Sequence, residues 1–326
     1  IPATHRVRRG VETHLSFEWR TRRASAWAPR GHVVSWDQIE LSPEPVPSRS
    51  PRRPSEGRVE IADGSIAGVW LGSQQVVLGD VSATLWRAPV DNDGSLHRSQ
   101  PGGRAVPRWL KLGLDRPEHV TDSVKVARDG SLISMRRRLV CAGGDAVHRT
   151  RITIGDEIEF HEKIELPEGW HDLPRVGVRF EAPAELDRLE WFGLGPEETY
   201  PDRRSGATIG RWASTVDAQY HPFSLPQDHG SHEDTRWFSL ADARRRGLVI
   251  GGSTRFAFSA RRHHDIDLTA ATTLADLGGG ETTEVHIDAA VRGLGTGACG
   301  PDTLPPYRTS RRSYEWTWTL GAPGVS

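Results

Sequence analysis

Short β-like runs, broken repeatedly by glycine or by Asp-Gly, fill most of this 326-residue chain. Within the runs, apolar and polar residues alternate with the period of a half-buried strand, and Asp63-Gly64 and Asp129-Gly130 are typical of tight turns. Helical periodicity is nearly absent, although residues 107–114 predict one short helix. Such a chain buries its apolar residues by pairing and stacking strands, so we expect an all-β protein. The clearest strands are predicted at 59–61, 65–70, 75–78, 132–136, 150–154, 157–165, 175–180, 247–250, 255–259, 284–288 and 314–320.

Changes in composition divide the chain into three parts. Residues 1–41 end in two alternating stretches, at 14–20 and 31–41, and are interpreted as the tail of a small sandwich domain, because two strands alone are marginally stable in water. Residues 42–57 carry five prolines separated mainly by serine and arginine, which predicts an extended, semi-rigid linker. Residues 58–322 contain no second linker, which favours one large sandwich over two domains.

The charge balance limits the classes of partner. A formal net charge of −1 and an isoelectric point near 7.0 provide no basic field for nucleic acid or anionic lipid, so a neutral, sugar-like ligand fits better. The sequence shows neither a signal peptide nor an apolar run long enough to span a membrane, which indicates a cytoplasmic protein without a membrane partner. The two cysteines, Cys141 and Cys299, are expected to be free thiols.

One segment has glycine, proline, aromatic and charged residues in an order too irregular for a helix face or a plain strand: Trp191 to Gly206, WFGLGPEETYPDRRSG. We call it the signature segment. With three other blocks it resembles the C-terminal β-sandwich of the lac-operon-type bacterial β-galactosidases, glycoside hydrolase family 2. The four blocks follow in order at 85–94, at 173–177 with 189–203, at 220–230 with 235–237, and at 292–302.

The resemblance implies a fold and a function. The expected fold is a large antiparallel β super-sandwich of the galactose-mutarotase-like type, preceded by the last strands of a small immunoglobulin-like sandwich. The expected function is that of the C-terminal, non-catalytic portion of a retaining β-galactosidase, which hydrolyses terminal non-reducing β-D-galactose residues. This portion is expected to complete the wall of an active site whose catalytic glutamates lie in a preceding barrel domain, so the chain alone is predicted to be inactive.

The same resemblance implies cofactors and partners. Mg²⁺ and Na⁺ are expected in the parent enzyme, with no cofactor or metal bound by this portion. The parent is expected to bind a lactose-like galactoside through its barrel and to form a homo-oligomer. Two other interpretations stay open: a stand-alone carbohydrate-binding or aldose-1-epimerase-like sandwich, suggested by the implied fold and by the histidines and carboxylates at 227–234, and a scaffold that serves only oligomer assembly.

Paired carboxylates carry out glycoside hydrolysis, and this chain has two tempting sets, Glu197-Glu198 and Asp91-Asn92-Asp93. Neighbouring residues on a strand point to opposite faces, and the matching family positions are not the catalytic ones. We therefore interpret neither set as catalytic.

Structural roles account for much of the remaining pattern. The glycines and prolines of the signature segment predict a rigid loop that Asp202, Arg203 and Arg204 pin to the sandwich. Trp316 and Trp318 occupy alternate positions of the last strand and are predicted to lie in the core.

Five residues are candidates for carbohydrate contact at the rim of the active site: Cys299, Gly300, Asp228, His229 and Trp237. At the place of Cys299 or Gly300, relatives of the enteric type carry a tryptophan that stacks on the sugar or aglycone. Where relatives usually have Glu-Asn, this chain has Asp228-His229. Trp237, like Trp191, is a candidate for an exposed position at the rim.

Two stretches rich in histidine raise the question of a metal site. Residues 227–237 lack a rigid ligand spacing and are expected to form a solvated surface loop. His263 and His264 are placed on a strand, where adjacent side chains diverge. Neither stretch is predicted to bind a metal.

Overall fold

The computed structural model of the chain describes residues 11–42, 52–53, 56–94 and 104–324. These residues form mostly strands, so the prediction of an all-β protein is confirmed. The strands are β1 His14–Arg20, β2 Val33–Glu40, β3 Arg52–Arg53, β4 Gly57–Ala62, β5 Ser65–Leu71, β6 Gln74–Thr84, β7 Glu118–Val126, β8 Leu132–Cys141, β9 Gly144–Ile154, β10 Ile158–Glu165, β11 Arg175–Pro183, β12 Arg188–Gly195, β13 Thr208–Thr215, β14 His232–Ala241, β15 Gly247–Arg261, β16 Thr282–Val291 and β17 Ser313–Pro323. The helices are α1 Ala105–Leu112 and α2 Asp265–Ala270, and 3₁₀ turns lie at Asp91–Asp93, Asp217–Gln219, Leu274–Asp276 and Pro305–Tyr307.

The strands form two separate sheets. β1 and β2 pair with each other in a two-stranded antiparallel sheet, as the alternation in this part of the sequence predicts. The other strands form one curled antiparallel sheet of 15 strands, whose longest path runs β4-β5-β6-β11-β16-β15-β17-β10-β9-β8-β7. A branch of β12, β13 and β14 joins this path where β14 pairs with β15. The predicted large antiparallel β fold, preceded by two strands of a separate sheet, is confirmed.

Strand alternation builds the core. Along β8 and β10, buried residues alternate with partly exposed ones, so each strand directs one face inward. Phe160 and Trp318 stack with ring centroids 3.9 Å apart. Trp316 and Trp318 are both buried, which confirms that they belong to the core.

The central strands also have a buried polar face. On β16, Glu284, His286 and Asp288 alternate with apolar core residues, yet all three are buried. Buried charged groups require partners, and buried arginines at the start of β11 and the end of β15, Arg175 and Arg261, supply positive charge on this face.

Side chains of Gln38 in β2 and of Glu12 just before β1 attach this part of the chain to the sandwich. The Gln38 amide donates to the carbonyl oxygen of Ile209 at 2.9 Å and accepts from the Ile209 N–H at 2.7 Å, so it pairs with edge strand β13 as a strand residue would. The Glu12 carboxylate accepts hydrogen bonds from the buried guanidinium of Arg236.

The predicted domain boundaries at 1–41, 42–57 and 58–322 stay predictions. Residues 43–51 and 54–55 of the predicted linker lie outside the described residues, and β3 within it pairs with the end of β17. Helix α1 forms where residues 107–114 predict one. In the described part of the chain, no helix has the length and hydrophobicity needed to cross a membrane.

Candidate functional site

Three of the blocks that carry the family resemblance meet at one cavity of about 530 Å³. Asn92 comes from the first block, Asp202 and Arg203 come from the signature segment, and a glycine-rich loop from the fourth block forms another wall. Leu304 and Tyr307, just after that loop, are 57% and 37% exposed and give the cavity an apolar and aromatic rim. We call this space the signature cavity.

The signature segment holds the glycine-rich loop directly. The Asp202 carboxylate accepts hydrogen bonds from the backbone N–H of Leu294 at 2.8 Å and of Gly295 at 2.6 Å. A Cβ atom at Gly293 would lie 2.6 Å from Cγ of Asp202, so only glycine permits this approach. Asp202 was predicted to pin the signature segment, and the structure shows that its partner is the loop that lines the cavity.

Asn92 also holds this loop. Its Nδ2 donates to the carbonyl oxygen of Gly295 at 2.6 Å, and its Oδ1 accepts from the N–H of Ala298 at 3.0 Å. Gly295 has φ of +69°, and a Cβ there would lie 2.4 Å from Oγ1 of Thr303. The conformation of the loop therefore depends on glycine at this position.

A buried arginine lies beneath the loop. Arg292 donates to Asp172 and to Asp302 at 2.6 Å each, and to Asp93 at 3.1 Å. Asp93 in turn accepts from the fully buried Arg87 at 2.7 Å. Charge-assisted hydrogen bonds of this kind fix the loop ends more firmly than neutral ones do.

The predicted rim residue Asp228 lies in the interior, 3% exposed. Its carboxylate accepts from Arg261 at 2.6 Å and from the Tyr200 hydroxyl at 2.8 Å. Burial alone would raise the pKa of Asp228, but the charges of Arg261 and Arg175 more than offset it and hold that pKa below its usual value. The expectation of a solvated surface loop at 227–237 is wrong for this stretch, because its charges are compensated by buried arginines.

Two histidines of the same stretch are also buried. His229 is 1% exposed, packs its edge against Tyr220, and has a pKa lowered to about 4 by burial. His232 lies between Trp191 and Phe258, and burial lowers its pKa to about 3. Both imidazoles are therefore neutral at pH 7 and buried within the sandwich.

His232 makes stability depend on pH in a defined direction. Its folded pKa of about 3 lies below the ordinary 6.5, so its contribution is fully present above pH 6.5 and is lost as pH falls toward the folded value. We expect the stability difference between the native chain and His232→Gln to shrink by about 2–3 kcal/mol between pH ~7 and ~4.5, measured by urea unfolding.

The matched control is His161→Gln, because the His161 side chain is 45% exposed. At pH ~7 this variant should lose less than about 1 kcal/mol of stability, because an exposed side chain contributes little to the fold. A difference for His232→Gln that stayed constant down to the lower pH would contradict a neutral, buried His232.

The tryptophans proposed for the rim are core residues. Trp191 is 1% exposed and Trp237 is 2% exposed, so the expectation that either lies open at the rim is wrong. Trp191 donates its indole N–H to the carbonyl oxygen of Leu194 at 3.0 Å, and the guanidinium of Arg211 lies 5.7 Å from the ring of Trp237. Both lie in the strand branch, Trp191 on β12 and Trp237 on β14, and Trp191 belongs to the main apolar core of the sandwich.

The other two rim candidates are exposed. Cys299 is a free thiol, and the N–H groups of Cys299 and Gly300 both donate to the Thr296 carbonyl oxygen, at 3.2 Å and 2.7 Å. Both residues lie between Thr296 and Pro301, which line the signature cavity. Sequence reasoning did not single out the exposed Tyr307, although an aromatic residue after two prolines, close to this loop, was a usable signal.

Three buried residues on the polar face of the central strands have the residue types of a metal site. Asp265, Glu284 and His286 have possible ligand atoms within 4.8 Å of one another. Arg261 already donates to Asp265 at 2.7 Å and lies 3.4 Å from Glu284, and Arg175 donates to Asp265 at 2.8 Å. Two guanidinium groups thus hold the place of a cation, and these residues do not fit a metal.

His263 and His264 do not lie on a strand, so that placement is wrong. They follow the end of β15 and precede α2. His264 Nε2 lies 3.2 Å from Oγ1 of Thr282, and the ring of His263 packs against Tyr220. Asp265, which begins α2, is paired with Arg175 of β11 and Arg261 of β15, so the start of the helix is held against the sheet.

Comparison with known proteins decides the family. Residues 55–320 match the family described as the β-galactosidase small chain, and residues 1–42 match the family described as domain 4 of β-galactosidase. This chain belongs to the β-galactosidase small-chain family.

The small-chain region is part of a longer protein in the curated relatives. The β-galactosidase of Arthrobacter sp. (strain B7) is 33% identical over 325 residues, which cover 91% of this chain and 32% of that protein. The β-galactosidase of Vibrio cholerae is 26% identical over 336 residues, which cover 95% of this chain and 32% of that protein. The chain spans about a third of the length of these relatives.

Solved structures also align with this small-chain region. A putative aldose 1-epimerase from Escherichia coli K12 aligns with a TM-score of 0.45 and 8% identity, over 83% of this chain and 97% of that one. A putative mutarotase from Salmonella typhimurium aligns with a TM-score of 0.44 and 13% identity, over 85% of this chain and 89% of that one. At these values the likeness carries no inference about function.

Proposed function

We propose that this chain is the C-terminal, non-catalytic portion of a cytoplasmic β-galactosidase that hydrolyses terminal non-reducing β-D-galactose residues of lactose-like galactosides. The catalytic carboxylates lie in a barrel domain of the parent enzyme, outside this chain, and the reaction retains the configuration of the anomeric carbon. The parent enzyme also binds Mg²⁺ and Na⁺ and forms a homo-oligomer. This chain contributes a rigid wall to the active site at the signature cavity.

The observation that carries the proposal is the convergence of the family blocks on one exposed feature. The family match covers residues 55–320, and within it Asn92, Asp202 and Arg203 meet the glycine-rich loop around a single cavity. Loops supported by a rigid scaffold are where binding residues concentrate. Cys299 and the rim residues Leu304 and Tyr307 are exposed here, so a neighbouring domain can reach them.

The carboxylates that tempt a catalytic reading have structural roles. Glu198 accepts from the N–H of Gly230 at 2.9 Å and pairs with Arg203 at 2.6 Å. Asp93 is fully buried between Arg87 and Arg292. A retaining glycosidase needs two carboxyl groups about 5 Å apart facing the substrate, and neither residue is free to serve.

The second candidate, a stand-alone aldose-1-epimerase-like or carbohydrate-binding sandwich, has weaker support. Its chemistry needs titratable side chains that a sugar can reach, and His229, His232 and His286 are at most 1% exposed. Acceleration of the mutarotation of α-galactose by the purified chain, followed by polarimetry, would favour this candidate over the wall role.

Activity of the separated parts tests the proposal. We expect the 326-residue chain alone to release no nitrophenol from nitrophenyl β-galactoside, because Glu198 and Asp93, from its two candidate carboxylate sets, are engaged by arginines. Joined to the coding sequence upstream of Ile1, it should give an active enzyme. Turnover by the chain alone would refute its non-catalytic role. Full activity of the upstream portion alone would refute the proposal that this chain contributes a wall to the active site.

A variant pair isolates the wall itself in the joined enzyme. Tyr307→Ala removes an aromatic side chain at the cavity rim and should lower kcat/KM several-fold for an aryl galactoside, about 1 kcal/mol of binding. Leu274→Ala, at a 42% exposed position that does not line the cavity, is the control and should leave kcat/KM unchanged.

A further inference from the structure

A cavity of about 390 Å³ lies between the two-stranded sheet and the sandwich. Trp36 and Gln38 of β2 line one side of it, and residues of the stretch 204–209, together with Asp234, line the other. Two hydrogen bonds between the Gln38 side chain and the backbone of Ile209 hold the two sides together. We call this space the junction cavity; it shares no lining residue with the signature cavity.

The face of the two-stranded sheet that turns toward the sandwich is polar except for one tryptophan. Residues directly opposite each other in a sheet share a face, and the bonds of Gln38 to Ile209 mark the face in question. The opposed pairs on this face are His14 with Glu40, Ser16 with Gln38, and Glu18 with Trp36. The apolar pair of Leu15 and Ile39 lies on the other face. Because Trp36 is 45% exposed, burial in an apolar core does not account for its place on the polar face.

The opposite side of the junction cavity combines hydrogen-bond donors and acceptors. The Arg204 side chain is 49% exposed, and its guanidinium lies 3.9 Å from the Asp234 carboxylate, beyond hydrogen-bond distance. Asp234 also lies 3.2 Å from Arg255, so its charge is balanced within the protein. Ser205 and Thr208 line the same side, and a hydroxyl group both donates and accepts. Such a surface favours a ligand that is neutral and carries donors and acceptors of its own.

We propose that the junction cavity binds a neutral saccharide of one or two rings, with the indole of Trp36 as its stacking platform. Arg204 donates to hydroxyl oxygens of the sugar, and Asp234 accepts from its hydroxyl groups. A sugar ring has an apolar C–H face that fits an indole and an edge of hydroxyl groups that fits the opposite side. This site binds without catalysis and is separate from the active-site wall.

The dimensions and charges of the cavity agree with this ligand. A volume of about 390 Å³ lies within the range of roughly 300–1,000 Å³ for small-molecule sites. Trp36 is two residues from Gln38, about 7 Å along β2, so the indole and the opposite side border the same gap. An anionic ligand would meet the carboxylates of Asp37 and Asp234, and a cationic one would meet Arg204.

Saturation-transfer NMR on the 326-residue chain tests the proposal, with lactose as the probe. The choice of lactose rests on the proposed function, whereas the cavity and its lining do not. We expect saturable binding with a dissociation constant of about 10 mM or lower. Trp36→Ala should bind at least about tenfold more weakly, because tryptophan is among the side chains that dominate binding energies. Trp36→Phe, which keeps an aromatic face, should lie between the two.

Trp27→Ala is the matched control, since Trp27 is 71% exposed in the same part of the chain and does not line the junction cavity. It should bind lactose as the native chain does. The proposal is overturned if lactose does not bind the native chain up to about 50 mM, or if Trp36→Ala binds it as tightly as the native chain does.

A third variant separates this site from the signature cavity. Tyr307→Ala changes the rim of the signature cavity and should leave lactose binding at the junction cavity unchanged. Binding that falls in Tyr307→Ala but not in Trp36→Ala would place the sugar at the signature cavity, which overturns the present proposal and leaves the proposed function intact. Failure of the activity test on the joined enzyme would, in turn, leave binding that depends on Trp36 intact.

Discussion

Replacing Arg261 with methionine lowers the free energy of unfolding by about 3–5 kcal/mol, the cost of breaking a buried ion pair from one side. Arg261 is 1% exposed and donates to Asp228 at 2.6 Å and to Asp265 at 2.7 Å. Methionine keeps much of the volume but leaves Arg175 as the guanidinium within 3.5 Å of both buried carboxylates. Urea unfolding at pH ~7 measures the loss.

Two further variants make this result specific. Arg246→Met removes a guanidinium that also pairs with an aspartate, Asp242 at 2.9 Å, but its side chain is 57% exposed, so less than about 1 kcal/mol should be lost. Arg261→Lys keeps the charge and loses the fork that contacts two carboxylates at once, so its loss should lie between the other two. Equal losses for Arg261→Met and Arg246→Met would mean that the buried network contributes nothing beyond a surface pair.

The strands and the apolar core were predictable because their signal is local. Alternation at 14–20 and 31–41 gave β1 and β2, and alternation in the last strand placed Trp316 and Trp318 in the core. Each of these inferences needs only the period of a strand and the preference of large apolar side chains for the interior. No knowledge of distant residues enters.

The polar interior was not predictable in the same way because its partners are distant in sequence. Asp228 is buried by Arg261, 33 residues away, and by Arg175, farther still. Read locally, a stretch that contains Asp228, His229 and His232 is polar enough to be a surface loop. The strand order places β11, β15 and β16 side by side. Only this order shows that buried arginines lie close enough to neutralise the carboxylate of Asp228.

The signature segment shows an intermediate case. Its glycines and prolines predicted a rigid loop, and its charged residues predicted that the loop is pinned. The partner that holds Asp202, the backbone N–H groups at Leu294 and Gly295, is invisible in sequence because backbone donors carry no residue signature. The signature cavity could not be predicted from the sequence for a similar reason, because Asn92 and Tyr307 line one space only after folding.

Replacing Asp202 with alanine should uncouple the signature segment from the wall of the signature cavity. The substitution removes two charge-assisted hydrogen bonds, each about 1.5–3 kcal/mol, and partial exposure of the site brings the expected loss of stability to about 2–4 kcal/mol. Asp202→Asn keeps one acceptor oxygen and should lose about half as much. Urea unfolding measures both values, with Glu197→Gln, an exposed acid of the same segment, as the unchanged control.

Hydrogen exchange separates a local effect from general weakening. In Asp202→Ala the amides of Leu294 and Gly295 lose their acceptor, so their protection should fall at least about tenfold more than that of core amides on β10. In the joined β-galactosidase the same variant should lower kcat/KM, because a wall that no longer holds one shape positions a substrate poorly. If the two amides keep their protection while stability falls, Asp202 acts on the fold alone, and the link between the signature segment and the cavity is lost.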